Sequence, residues 1–114
     1  MFGAPDVEHV SATEAVELAA GASVLVDVRE PWEWALGHAP GAISLPMSQL
    51  EQRHDELPAD ATLLVVCHSG VRSLQVTDAL ARAGYHAINV DGGMVAWHAA
   101  GGALEADGSD EPRV

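Results

Sequence analysis

The stretch "TLLVVCHSGVRSLQVTDALARAG", residues 62–84, decides the fold. It opens with a continuous aliphatic run, the pattern of a strand buried on both faces rather than one. From Ser73 onward Leu74, Val76 and Leu80 recur at helical spacing and Gly84 supplies a stop, so an amphipathic helix follows. Between them lies a loop, Cys67–Arg72, with Gly70 where tight curvature is easiest. Strand, short loop and helix together form a piece of an α/β fold.

The same alternation extends in both directions. Upstream, "VSATEAVELAAG" places Ser11 and Glu14 in capping-box spacing and ends at Gly21, predicting a helix from about 12 to 20. "SVLVDV" at 23–28 predicts a buried strand, and "REPWEWALG" a short helix with Pro31 in its first turn and Gly37 at its end. A brief strand is expected near 42–45, then a helix in "SQLEQRHDEL" capped by Ser48 with Glu51 three residues on. Downstream, "HAINV" at 86–90 predicts a strand, "DGG" a tight turn through Gly92 and Gly93, and residues 94–100 a last helix. Buried strands alternating with helices imply a parallel sheet covered on both faces.

A chain of 114 residues with 48% hydrophobic and 19% charged residues suits one globular domain, placed here at 7–102. The remainder, 103–114, is acidic and aperiodic, so composition predicts a disordered tail whose removal leaves stability unchanged. The formal net charge is -12, with seventeen acids, five arginines and no lysine. Such a surface disfavours nucleic acid and membrane as partners, and any anion site must depend on local donors. One cysteine forms no internal disulfide, and the N-terminus lacks the pattern of a secretory signal, so a reducing, cytoplasmic setting is expected.

That cysteine is Cys67, at the carboxyl end of the most hydrophobic strand. Ligand sites of open α/β sheets lie there. A single cysteine at a strand end is more often a small buried hydrophobe than a nucleophile. Here the following loop is expected to turn amide N–H groups toward the sulfur, and the helix N-terminus and Arg72 favour negative charge upon it. The offsets of Gly70 and Arg72 therefore favour a nucleophile.

"CHSGVRS" at 67–73, "LVDVREPWEWALGHAPGAISLP" at 25–46 and "DGGMVAWHAAGG" at 91–102 together resemble the single-domain rhodanese family of sulfurtransferases, in order and in spacing. The resemblance implies a five-stranded parallel sheet flanked by helices. It implies a Cys67 persulfide, with His68, Ser69, Gly70, Val71 and Arg72 as the cradle that binds the transferred sulfur. It implies a small sulfur donor such as thiosulfate, a thiol or cyanide-like acceptor, a sulfur-relay protein as a further partner, and no cofactor. Only Arg72 in this loop is permanently charged, which counts against efficient use of thiosulfate.

Asp27, Arg29 and Trp32 are candidates to border the site. For Asp27 and Arg29 local ion pairing is the commoner use, and Arg29 has helical pair spacing with Glu33. His38 is read as a loop-fixing histidine, because an ionised thiolate requires no general base. Trp34 and Trp97 are read as core aromatics. His9, His54, His86 and His98 lack metal-ligand spacing, so no metal is expected.

Two other functions compete. A persulfide carrier loaded by a cysteine desulfurase shares every residue of the site. A cysteine phosphatase or arsenate reductase uses the same thiolate, amides and arginine, but places five residues between cysteine and arginine where this chain has four.

Overall fold

The computed structural model describes residues 6–114. Five parallel strands lie in the order β1-β5-β4-β2-β3: β1 (Glu8–Val10), β2 (Val24–Asp27), β3 (Ile43–Ser44), β4 (Thr62–Val66) and β5 (His86–Val90). Among the described residues five α-helices accompany them: α1 (Ala12–Ala19), α2 (Pro31–Leu36), α3 (Leu50–Arg53), α4 (Val71–Arg82) and α5 (Gly93–Ala99). The α/β class and parallel sheet thus match the sequence reading.

β4 is the central strand, in register with β2 through Val26↔Val65 and with β5 through Leu64↔Ile88. Its unbroken apolar run reflects burial on both sides, and the strand period of two divides it. Leu64 and Val66 join Ala12, Ala15, Met94 and Trp97 in the cluster under α1 and α5. Leu63, Val65 and Cys67 join Val76 and Leu80 in the cluster under α4. A one-residue slip would exchange the two sets, so the helices on both faces pin the register.

The chain leaves β2 toward β3 at one edge and leaves β4 toward β5 in the opposite direction. The topological switch lies between β2 and β4, and the crevice outside their carboxyl ends is where such folds bind ligands. Asp27 ends β2, and Cys67 follows β4 directly.

Several expectations need correction. β1 has no counterpart in the strand reading, because Glu8 and His9 are exposed on this edge strand of three residues and leave no apolar alternation to detect. The helix expected from Ser48 is a 3-10 turn at Met47–Gln49, four α-helical residues and a second 3-10 turn at His54–Glu56. Ser48 caps nothing; its hydroxyl donates to Glu30 at 3.3 Å. α4 begins at Val71 rather than Ser73, because Gly70 takes φ +110° and closes the loop two residues earlier.

The acidic segment 103–114 is also not the free tail that composition predicted. His38 and Glu105 exchange both backbone hydrogen bonds, at 2.9 and 2.8 Å, and the amides of Asp107 and Arg113 donate to Ala35 and Leu36 carbonyls of α2. Trp97 Nε1 donates to the Ala103 carbonyl, and Leu104 and Val114 pack against the α1/α5 cluster. Backbone pairing, which composition does not encode, fixes this segment.

His38 is the pin beneath it. Its ring is buried, stacks on Trp34 at 3.8 Å and donates from Nδ1 to the Trp34 carbonyl, while Nε2 lies 3.3 Å from Glu105 Oε2. Deleting residues 104–114 is therefore expected to lower the melting temperature. Net backbone hydrogen bonds contribute roughly 1 kcal/mol each, and about 1 kcal/mol moves a domain of this size by about 4–8 °C. A melting curve superimposable on that of the full chain would contradict the docking.

Candidate functional site

Cys67 sits at the switch crevice with its side chain 1% exposed. Gly70 N–H donates to Sγ at 3.0 Å, the one backbone amide among the described residues bonded to the sulfur. This narrows the expected ring of inward amides to a single contact. The first amides of α4, which as in any helix lack intrahelical acceptors, begin at Val71 immediately beyond it. On the inner side Sγ lies 3.4 Å from Ser73 Oγ, in the first turn of α4. His68, Ser69 and Val71 face solvent, Val71 being 71% exposed.

The loop is held from outside by α5. Met94 N–H donates to the Cys67 carbonyl at 2.7 Å, and Val95 N–H to the His68 carbonyl at 3.1 Å. These are N-terminal helix donors, satisfied by the loop instead of by water. Gly93 permits the approach. A Cβ there would stand 2.5 Å from both of those carbonyl oxygens, and its φ of +60° is one that L side chains rarely adopt. Reading "DGG" as a turn captured only half of this, since the sequence does not show what Gly93 touches.

Arg72 does not stand free beside the sulfur. Its guanidinium makes a two-pronged pair with Glu33 of α2, NH1 to Oε1 at 2.7 Å and NH2 to Oε2 at 2.9 Å. The pair is partly buried, with Glu33 12% and Arg72 35% exposed. Hydrogen bonding from Arg72 holds the Glu33 carboxyl below the usual carboxylate range against the opposing effect of burial, and the same bond raises Arg72. Glu33 went unnoticed as a site residue because its partner is 39 positions away.

Arg29 does not use Glu33, contrary to the helical spacing. It pairs with Asp27, NH2 to Oδ2 at 2.7 Å, and donates to the Gly37 carbonyl at 2.7 Å, both side chains being 1% exposed. Residues 28–30 lie outside any helix, with a bend at Arg29, so that spacing has no meaning there. The Asp27–Arg29 pair ties the end of β2 to the end of α2. Trp32 is 68% exposed and lines a hollow of about 260 Å³ with Arg29, Glu33, Leu36, His68 and Val114. It therefore reaches the rim near His68, while Trp34 is half-buried and Trp97 lies in the core. Among the described residues no group of histidine, cysteine and carboxylate side chains is arranged to hold a metal ion, and no helix is long and apolar enough to cross a membrane.

Residues 11–100 match the family model of the rhodanese-like domain. A sulfurtransferase of Allochromatium vinosum is 41% identical over 75 residues, covering 65% of this chain and 70% of that protein. The crystal structure of a rhodanese-related protein from Thermoplasma volcanium superposes with a TM-score of 0.81 at 28% identity, over 86% of this chain and 97% of that one. A Rhodopseudomonas palustris protein of unknown function, called a possible tyrosine phosphatase, superposes at 0.75 with 26% identity, over 87% and 85%.

Gly93→Ala tests the anchoring of the loop by α5. The variant is expected to lose several kcal/mol, on the order of the largest single-substitution effects, because backbone strain adds to contact with carbonyl oxygens that cannot yield. Chemical denaturation measures this. A loss under about 0.5 kcal/mol, the ordinary surface value, would show that the loop is held by other means.

Proposed function

Since this chain belongs to the rhodanese-like family, we propose that it is a sulfurtransferase carrying a sulfane sulfur on Cys67. The observation that carries the reading is the Gly70 N–H aimed at Sγ at 3.0 Å, at the mouth of the crevice beside the start of α4. A dipole fixed in that position favours negative charge on sulfur without moving during the reaction.

In the first half-reaction the Cys67 thiolate attacks the outer sulfur of the donor. A bond forms between Sγ and that sulfur, and the donor's own bond to it breaks, with the electron pair leaving on the remainder, sulfite in the case of thiosulfate. In the second half-reaction a nucleophilic acceptor, cyanide or a thiolate, attacks the outer sulfur of the persulfide. The pair of the broken S–S bond returns to Sγ. In this reading the amides of His68 and Ser69, with those that open α4 from Val71 on, receive the terminal sulfur, and the exposure of these three residues supports it.

A second reading is favoured by Arg72. With its charge matched by Glu33, the loop offers an anionic donor no free permanent cation, and four of the five arginines of the chain are paired in the same way. That suits loading from a protein persulfide, as by a cysteine desulfurase, over loading from a dianion. The phosphatase reading is weaker on the same ground, since a phosphate ester also needs a free cation.

Replacement of Cys67 by Ser is expected to abolish sulfite release from thiosulfate and sulfur loading alike. Persistence of either would remove Cys67 from the chemistry. Glu33→Gln frees Arg72, and is expected to lower the KM for thiosulfate by about tenfold, the scale of one charge-assisted hydrogen bond. An unchanged KM would show that Arg72 does not face the donor. The pair also has a pH signature: because the Glu33 pKa is depressed in the folded protein, its stabilisation is present at neutral pH and fades as pH falls through the lowered value. Glu33→Gln should accordingly cost stability at pH 7 and little in strong acid.

A further inference from the structure

Behind Cys67, on the side away from the crevice, a line of polar side chains runs from the sulfur to the surface. Ser73 Oγ, fully buried, lies 3.4 Å from Sγ and 2.7 Å from Asn89 Oδ1 of β5. Asn89 is 2% exposed and donates through Nδ2 to Asp91 Oδ1 at 3.0 Å. The same carboxylate oxygen lies 2.7 Å from Nδ1 of His9 on β1. Among the described residues every buried side-chain nitrogen and oxygen has a partner, so the line is complete. The transfer chemistry described above uses none of these four residues.

Chemistry fixes the direction of the line. An ionised Asp91 only accepts, so Asn89 turns Nδ2 toward it and Oδ1 toward Ser73. The reversed amide would set two acceptors against each other at 3.0 Å. Facing an oxygen with no proton, the Ser73 hydroxyl gives its single hydrogen to Oδ1. The Gly70 carbonyl, 3.2 Å away, is the longer, competing acceptor for that one hydrogen. What Ser73 presents to sulfur is a lone pair. It can receive the thiol S–H, but cannot donate to an anionic sulfur without leaving the 2.7 Å bond to Asn89.

We propose that Asn89 and Asp91 are positioning residues of the sulfur site: they hold Ser73 as an acceptor for the Cys67 thiol proton, and so favour the unloaded thiol over the persulfide. The consequence for sulfur release rests on the persulfide reading above. On loading, the thiol proton leaves to solvent and Sγ forms its second covalent bond to sulfur, so Ser73 loses its donor. On release the outer sulfur departs with the acceptor, the S–S electron pair stays on Sγ, and a proton from water restores the S–H to Ser73 contact. The Ser73–Asn89–Asp91 bonds persist in both states, but the lone pair that Ser73 turns to the sulfur has a donor only in the unloaded one, which promotes release and opposes storage.

The charged and titratable groups around the sulfur are Arg72 with Glu33 on α4 and α2, Asp27 with Arg29 at the end of β2, His68 in the loop, and Asp91 with His9 at the far end of the line. All of them remain in Ser73→Ala, so a change there belongs to the hydroxyl. The test is the pH dependence of Cys67 alkylation by iodoacetamide in the unloaded protein, which requires no sulfur transfer. Ser73→Ala is expected to move the curve to lower pH, raising the rate on its rising limb by about two- to tenfold, the scale of one net hydrogen bond. Asp91→Ala, an exposed substitution, is expected to move it the same way by freeing Ser73 to donate. In the double variant the Asp91 change should add nothing.

A shift of Ser73→Ala to higher pH, or none, would show that Ser73 is not an acceptor and would overturn the proposal. So would an Asp91→Ala effect that persists in full without Ser73, since the carboxylate would then act through its field. If Ser73→Ala does not fold, Asp91→Ala at low and high salt decides: a shift that survives salt supports positioning, and one that salt abolishes refutes it. With the alkylation shifts as expected, a Cys67 that accepts sulfur from neither thiosulfate nor a desulfurase would sink the sulfurtransferase reading and leave the polar line intact.

Discussion

The two-sided burial of β4 is the constraint on which the rest depends. Leu63, Leu64, Val65 and Val66 are all fully buried, and the strand alternation sends two of them to each face of the sheet. At about 1.5–3 kcal/mol for each buried aliphatic side chain, no other placement of this run competes. The same alternation assigns Cys67 to the α4 side and ends the strand where the chain must turn into α4. The sulfur is thus delivered to the helix N-terminus and to Ser73 by the phase of a hydrophobic strand, and the loop has only to close over it. Gly70 makes that closure with a positive φ, and Gly93 lets α5 brace it from outside.

Around this apolar centre the charges are paired and fixed. Asp27 with Arg29 joins the end of β2 to α2, and Glu33 with Arg72 joins α2 to α4, so α2 is clamped to one strand that bounds the crevice and to the helix that follows the other. Each pair is two-pronged or supplemented by a carbonyl, the geometry that offsets the cost of drawing a guanidinium from water. In a chain with so large an acidic excess, every arginine beside the site is claimed by a carboxylate. The sulfur is left to dipoles: an amide on one side and a hydroxyl of fixed polarity on the other.

What could be read from the sequence follows from which interactions are local. β2, β4, β5 and α1 announce themselves through apolar runs and the Ser11/Glu14 capping box, in which the Ser11 hydroxyl accepts from Glu14 N–H at 3.1 Å. Cys67 and Gly70 are legible because a strand end, a glycine and a helix start lie within a few residues. Glu33, Asn89 and the segment around Glu105 are not, because each acts on a residue distant in sequence: Arg72, Ser73 and His38. Charge composition misled the reading of 103–114, since backbone hydrogen bonds are indifferent to acidic side chains. Helical spacing misled the pairing of Arg29, since Arg29 lies at a bend before α2 begins.

Whether Cys67 carries sulfur between donor and acceptor can be read from intact-protein mass spectrometry after exposure to thiosulfate and, separately, to a cysteine desulfurase with its substrate. A gain of one sulfur atom is expected, located on the peptide that contains Cys67. Occupancy should be greater from the desulfurase than from thiosulfate, and the original mass should return when cyanide or a thiol is added. A protein whose mass is unchanged by both donors, or whose added sulfur is not removed by either acceptor, would contradict sulfur transfer through Cys67.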